Sequence, residues 1–227
     1  PSHYGASVIG GRIGILGMGG LGQAFAGLLR GFASTVAYHD PRRLSAQAEA
    51  DLGLDWVPAE DLPGASATAL VLAAPLTGGT RHWLNAARLA RLPAGAVVVN
   101  IGRGSVVDED AILAALGKGL LAGYAADVFA FEDLSIAGRP SRVAPDLLAH
   151  PRTLFTPHLG SAVESVRLAI ELAAIASLRR VLTGTELSPW PASPGAMDPS
   201  SSARPIGGGR PPAGEARRPS RRRDPGR

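Results

Sequence analysis

Short, nearly all-apolar runs alternate with helical patterns along most of the chain. The runs cover residues 13–16, 35–38, 70–73, 96–101, 123–128 and 153–155. A strand that is apolar on both faces has to be covered on both faces, so six such runs predict a parallel sheet with right-handed helical crossovers. Between them, residues 21–30, 42–52, 81–92 and 109–116 carry helical spacing, and Asp108 stands where an N-cap would open the last of these. The expected fold class is therefore α/β, a doubly wound Rossmann-type sheet.

The pattern changes after the sixth run. Over residues 161–182, Val163, Val166, Ile170, Ala173, Ala174, Leu178, Val181 and Leu182 recur at helical intervals and predict a long amphipathic helix. Residues 184–227 then hold nine Pro and few apolar side chains. Such a stretch cannot offset the entropy of ordering and is expected to be a disordered basic tail. Residues 1–10 read as a linker or the end of a truncated segment. The expected organisation is thus 1–10, a nucleotide-binding domain over 11–160, a helix over 161–183 and the tail.

Charge changes the picture only once it is located. Of 23 basic and 19 acidic residues, eight and four lie in 184–227, which leaves fifteen of each in the remainder. The part expected to fold is neutral, and nucleic acid is not an expected partner. The absence of cysteine excludes disulfides, thiolate metal sites and cysteine nucleophiles. No apolar run reaches membrane-spanning length and the first residues lack a signal-type pattern, so a cytoplasmic protein without metal or membrane partner is expected.

The chemistry begins at the first apolar run, which leads straight into Gly17-Met18-Gly19-Gly20-Leu21-Gly22 and then a helical pattern. Gly17 permits a tight turn, Gly19 lets backbone amides approach a pyrophosphate, and Gly22 lets helix and strand pack closely. The phosphates would lie on a positive helix N-terminus. Asp40 ends the second run, where a carboxylate binding the ribose hydroxyls is expected, and it favours NAD over NADP. Arg42 and Arg43 follow closely and are the residues that would capture a 2′-phosphate instead. Met18 is expected to be packing. Further polar residues, Arg103, Glu132 and His158, lie beyond the later runs, where an open α/β sheet binds its ligands. Singly, each also reads as a surface arginine, a loop acid and a helix-cap histidine.

Together with the segments GILGMGGLG, APLTGGT, VVVNIGRGSVVDEDAILAAL, GYAADVF and LLAHPRTLFTPHLGSAV, these residues resemble the D-isomer-specific 2-hydroxyacid dehydrogenase family over residues 11–183. The resemblance implies an NAD-dependent oxidoreductase in which Arg103 clamps a small anionic substrate and His158, paired with Glu132, exchanges a proton. A guanidinium fork suits an anion because two charge-assisted bonds fix its orientation. A neighbouring carboxylate suits a histidine that must accept a proton and hold it. The resemblance also puts Asp127 at the nicotinamide carboxamide, Pro75, Leu76 and Thr80 over the phosphates and ribose, Asn100 in the same cleft, and Ser161 and Arg167 near the substrate.

Most of the family follows this glutamate with proline and a short loop. Here Asp133 follows Glu132 and a longer stretch, 134–154, intervenes. That departure resembles the phosphite dehydrogenase branch, so oxidation of phosphite to phosphate is the expected reaction, with 2-hydroxyacid oxidation or glyoxylate and hydroxypyruvate reduction as the alternative. Relatives carry a substrate domain that begins ahead of the glycine loop, so the chain is expected to be a fragment that binds cofactor. They also pair their nucleotide-binding domains two-fold, which implies a homodimer. An NAD(H)-sensing regulatory module is a further reading, against which the complete Arg, Glu and His set speaks.

Overall fold

The computed structural model describes residues 7–32 and 35–184. Seven parallel strands form one sheet in the order β3-β2-β1-β4-β5-β6-β7. They are β1 (Arg12–Leu16), β2 (Thr35–His39), β3 (Leu54–Trp56), β4 (Ala69–Leu72), β5 (Ala96–Asn100), β6 (Leu121–Ala126) and β7 (Thr153–Phe155). The helices are α1 (Gly20–Leu29), α2 (Ala46–Leu52), α3 (Leu62–Ala65), α4 (Ala86–Leu89), α5 (Glu109–Gly117), α6 (Pro145–Leu148) and α7 (Glu164–Leu182). Six strands fall close to where apolarity puts them. The seventh, β3, holds only three residues after Gly53, too short for a period to register.

The strands sort their side chains by alternation. Leu70 and Leu72 of β4 join Ala37, Leu84, Val98, Ile112 and Leu116 in one core cluster. Val71 points the other way, with Ile13, Ile15, Val36 and Tyr38, against Ala26 and Leu29 of α1. Each face of the sheet therefore has its own core, as a two-sided apolar strand demands. The strand order reverses between β1 and β4, the neighbours at the centre of the sheet. Ligands of such sheets bind beyond the carboxyl ends of the strands at this switch point.

The segment 81–92 is not the single helix its spacing predicts. Only Ala86–Leu89 is helical, and the Asn85 side chain caps it by accepting the Arg88 N–H at 3.2 Å. Just before it, the N–H groups of His82 and Leu84 donate to the carbonyls of Ser105 and Val106 at 2.8 and 3.1 Å. Pairing with a distant loop overrides the local pattern there. Helix α2 likewise starts at Ala46 rather than at residue 42, because Ser45 caps it by accepting the Ala48 N–H. Asp108 caps α5 as expected, accepting the Ala111 N–H at 3.1 Å.

Helix α7 forms, yet none of its residues is buried. It also lacks the one-sided stripe expected of it. Leu168, Leu172 and Ile175 are apolar and exposed on the side roughly opposite Val163, Ile170 and Val181, at about 3.6 residues per turn. No helix among the described residues is long and apolar enough to cross a membrane. The expected tail lies outside the described residues, apart from Gly184.

Candidate active site

Loops leaving the carboxyl ends of β1, β2, β4, β5, β6 and β7 build the site. Behind β1, Gly17 adopts φ +90 and a Cβ there would lie 2.7 Å from the backbone of Ala74, just after β4. A Cβ on Gly22 would come within 2.2 Å of the Gly17 carbonyl oxygen. Both positions are closed to any other residue by contact with backbone. Gly19 differs, because a Cβ there meets nothing within 4 Å. It lies at the open mouth of α1, whose first turn carries no acidic residue and no side-chain cap. Its N–H groups are left to an anion, which is what a dinucleotide pyrophosphate supplies. Gly20 and Leu21 open the helix and are exposed, and Met18 is buried as packing.

Asp40 follows β2 and is wired into this loop. Its Oδ2 accepts the Met18 N–H at 2.9 Å and its Oδ1 accepts the Arg42 N–H at 2.8 Å. A carboxylate so placed still has lone pairs for ribose hydroxyls. After β4, the Thr80 hydroxyl donates to the Pro75 carbonyl at 2.7 Å and accepts the Thr77 N–H at 2.8 Å, folding residues 75–80 into a compact turn. Pro75 is exposed on it and Leu76 packs against the core. The residues present fit a dinucleotide.

Across the switch point, Asn100 ends β5 fully buried. Its amide nitrogen donates to the Arg103 carbonyl at 3.0 Å and its oxygen accepts the Gly102 N–H at 3.2 Å. Asn100 thus shapes the turn that presents Arg103. The Arg103 side chain is exposed; one of its nitrogens donates to the Gly102 carbonyl at 2.7 Å, and it makes no ion pair among the described residues. Gly104 then packs so tightly that a Cβ would overlap the Phe129 and Ala130 backbone.

Glu132 sits in a short 3-10 turn, Ala130–Glu132, beyond β6. One of its oxygens accepts the Phe129 N–H at 3.0 Å and the other pairs with His158 Nδ1 at 2.5 Å. Arg103, Glu132, Asp133 and His158 line one pocket of about 130 Å³ with Gly104, Val128 and Phe129. Elements separated by 55 residues in sequence, Arg103 to His158, are brought to one place. His158 has φ +54, a left-handed conformation that costs a non-glycine residue on the order of 1–3 kcal/mol unless its surroundings enforce it.

Asp127 does the enforcing. Its Oδ1 accepts the Thr156 hydroxyl at 2.5 Å and the Leu159 N–H at 2.7 Å, and its Oδ2 accepts the Gly160 N–H at 2.9 Å. Burial alone would raise its carboxyl; the bonds from Thr156, Leu159 and Gly160 outweigh that and hold it below the usual aspartate range. Asp127 grips the His158 loop on both sides of the histidine. Ser161 follows that loop half-buried and Arg167 is exposed on α7, and no hydrogen bond or ion pair among the described residues joins either to Arg103, Glu132 or His158.

Two further acids, the buried Asp133 and the half-buried Glu109, were not legible as site residues. Asp133 Oδ2 accepts the Ser105 N–H at 2.7 Å, tying the Glu132 turn to the Arg103 loop. Glu109 accepts the Ala130 N–H at 2.9 Å from the first turn of α5. Only Asp133 left a trace in the sequence, as the acid standing where most of the family has proline.

Residues 1–160 match the NAD binding domain of the D-isomer specific 2-hydroxyacid dehydrogenases. A glyoxylate reductase of Pyrococcus furiosus is 37% identical over 166 residues, which are 73% of this chain and 46% of that protein. A glyoxylate/hydroxypyruvate reductase B of Pectobacterium carotovorum is 37% identical over 182 residues, 80% of this chain and 54% of its own length. Among solved structures, a glyoxylate reductase from Paecilomyes thermophila superposes with TM-score 0.73 at 32% identity, covering 82% of this chain and 53% of that one. A D-lactate dehydrogenase from Treponema pallidum gives 0.70 at 29%, covering 81% and 56%. The chain spans about half the length of the curated relatives it matches. With a matched domain that accounts for most of its described residues, the chain belongs to the D-isomer-specific 2-hydroxyacid dehydrogenase family, of which it carries the NAD-binding domain.

Proposed function

We propose that the chain is the cofactor half of an NAD-dependent reductase of small 2-oxoacids, of the glyoxylate and hydroxypyruvate class, acting in reverse on D-2-hydroxyacids. The observation that carries this reading is the His158–Glu132 pair in one pocket with Arg103. Arg103 holds the substrate carboxylate with its guanidinium. Glu132 occupies His158 Nδ1, which leaves Nε2 to give a proton to the carbonyl oxygen during reduction and to take it back during oxidation. Bound NAD(H) supplies or accepts the hydride. Gly17, Gly19, Gly20, Leu21, Gly22, Asp40, Pro75, Leu76, Thr80, Asn100 and Asp127 form or support its site, and Ser161 and Arg167 belong to the substrate side. The names of the relatives support a 2-oxoacid over phosphite.

Asp133 keeps a second reading in play, since the acid after Glu132 and the long connection behind it are what resemble phosphite dehydrogenases. In that reaction Arg103 would hold the phosphite oxygens and His158 would take a proton from the attacking water, giving phosphate, NADH and a proton. Pairing of two copies in the cytoplasm completes the proposal. The deciding assay follows NADH by its absorbance, for the chain alone and for the chain joined to a relative's substrate half. NADH consumption with glyoxylate or hydroxypyruvate is expected; NADH formation with phosphite alone would hand the function to the second reading. Failure with both substrate classes, in a joined protein that binds NADH, would refute the proposed chemistry.

A further inference from the structure

Selection between NAD and NADP turns on whether a cation can reach the 2′ position beside Asp40. Two arginines follow that aspartate, and the structure treats them differently. Both side chains are exposed, but Arg42 gives only its main-chain N–H to Asp40. Arg43 is committed: its Nε and Nη2 donate to the two carboxylate oxygens of Glu49 at 2.8 and 2.9 Å, and its guanidinium lies 5.5 Å from the centre of the Trp56 ring. Such a two-pronged pair fixes both the charge and the plane of an arginine.

Glu49 is fixed in turn. It is buried in α2, and Oε1 accepts the hydroxyl of Tyr38 at 2.7 Å. Tyr38 belongs to β2, is wholly buried, and its oxygen accepts the Leu44 N–H at 2.9 Å. The loop carrying both arginines is therefore stapled to the sheet through the acid that binds Arg43. Trp56 closes the arrangement by donating its indole N–H to the Asp40 carbonyl at 3.1 Å. Bonds from Arg43 and then Tyr38 hold the Glu49 carboxyl down to about 2, so its charge persists across the neutral range.

We infer that Glu49 is a specificity-determining residue of the cofactor site: by sequestering Arg43 it denies the 2′-phosphate of NADP one of the two cations it could recruit. The inference rests on the reading that this loop binds the adenosine ribose. Release of Arg43 would offer a phosphate two charge-assisted hydrogen bonds, an effect of about tenfold or more in affinity.

The test is calorimetric titration of NAD and NADP against the whole chain and its variants, with circular dichroism to confirm folding. Glu49→Gln keeps the size of the side chain and removes its charge. It is expected to raise NADP affinity relative to NAD by about tenfold. Adding Arg43→Ala to that variant is expected to cancel the gain. A folded Glu49→Gln protein with an unmoved ratio overturns the inference. Should that variant fail to fold, Arg43→Ala in an Asp40→Ala background carries the test. There NADP affinity is expected to stay unchanged, and a severalfold loss would show Arg43 reaching the phosphate with Glu49 in place, which also overturns it. If the unsubstituted chain binds no NAD, the cofactor reading falls and this inference with it; NAD binding without the predicted shift sinks this inference alone.

Discussion

On the cofactor side of the cleft the loops are held chiefly by steric fit between backbones, whereas around Arg103 and His158 they are held chiefly by carboxylates that accept main-chain N–H groups. Gly17 against Ala74, Gly22 against Gly17 and Gly102 against the Ala74 carbonyl leave no room for a Cβ. On the other side Asp127 takes Leu159 and Gly160, Glu132 takes Phe129, Asp133 takes Ser105 and Glu109 takes Ala130. Backbone fit does not titrate; carboxylate tethers do. A phosphate-binding loop has to be in place before its ligand arrives and gains from rigidity. The loop carrying His158, the proposed acid–base group, has to hold a costly backbone conformation, and directed bonds can enforce that where close packing alone does not.

The sharpest way to break this comparison is Gly104→Ala, because Gly104 brings steric fit into the carboxylate side. A Cβ there would sit 1.8 Å from the Phe129 carbonyl carbon. The expected cost is about 4 kcal/mol or more, a fall in Tm of roughly 8–16 °C by thermal melt. Gly19→Ala is its control, since its Cβ meets nothing. Tm should stay within about 3 °C while NAD affinity falls about tenfold or more, the Cβ standing where the pyrophosphate approaches. Equal losses of stability in the two variants would erase the distinction drawn between a packing glycine and a ligand glycine.

Next in size are the groups proposed to touch substrate. Arg103→Ala and His158→Ala, each in a protein joined to a substrate half, are expected to lower kcat/KM by roughly 100-fold or more. Near-normal turnover in either would break the proposed mechanism.

These contrasts also explain what the sequence made legible. The glycine loop reads well because steric demands leave one residue type possible at Gly17 and Gly22, and the strands read well because burial on both faces leaves only apolar runs. Arg103, Glu132 and His158 came from motifs with a resemblance behind them. Asp133 and Glu109 did not, because a carboxylate that accepts an N–H from a loop 21 or 28 residues away has no period and no motif of its own. The failed helix over 81–92 has the same cause: its partners, Ser105 and Val106, are remote in sequence. Helix α7 teaches the converse. Its spacing was enough to predict a helix, while apolar residues on all sides say nothing about which side is covered.

Asp127 lets the tether idea be tested by pH. Its carboxyl lies below the ordinary aspartate value of about 3.9, so the stability it contributes is present above that value and is lost as pH falls through its folded value. Glu49, at about 2 against an ordinary value near 4.3, behaves in the same sense. Both tethers therefore weaken as pH falls below about 4, that of Glu49 down to about 2. Asp127→Asn should lower Tm at pH 7, with the deficit shrinking as melts are taken down toward pH 3. It should also speed amide exchange at Leu159 and Gly160. A deficit that is constant with pH would mean that shape at Asp127 matters and charge does not.

Glu109 provides the smallest effect and the opposite sign. Burial is the chief cause pushing its carboxyl above the usual glutamate range; the bond from Ala130 works against that, and the charges of Asp110 and Asp133 add to the rise. A carboxyl raised on folding binds its proton better in the native state, so ionising it costs stability as pH climbs above the unfolded value of about 4.3. Glu109→Gln removes that cost and keeps an oxygen for the Ala130 N–H. The variant should therefore gain on its parent from pH 4 to pH 8, by about 2 °C in Tm, the size of a partial charge burial in a domain of this length. Melts at pH 4, 6 and 8 read the difference directly. If the parent instead gains with pH, the N-terminus of α5 stabilises the Glu109 carboxylate by more than burial and its acidic neighbours oppose it, and Glu109 then belongs with Asp127 among the tethers that acid releases.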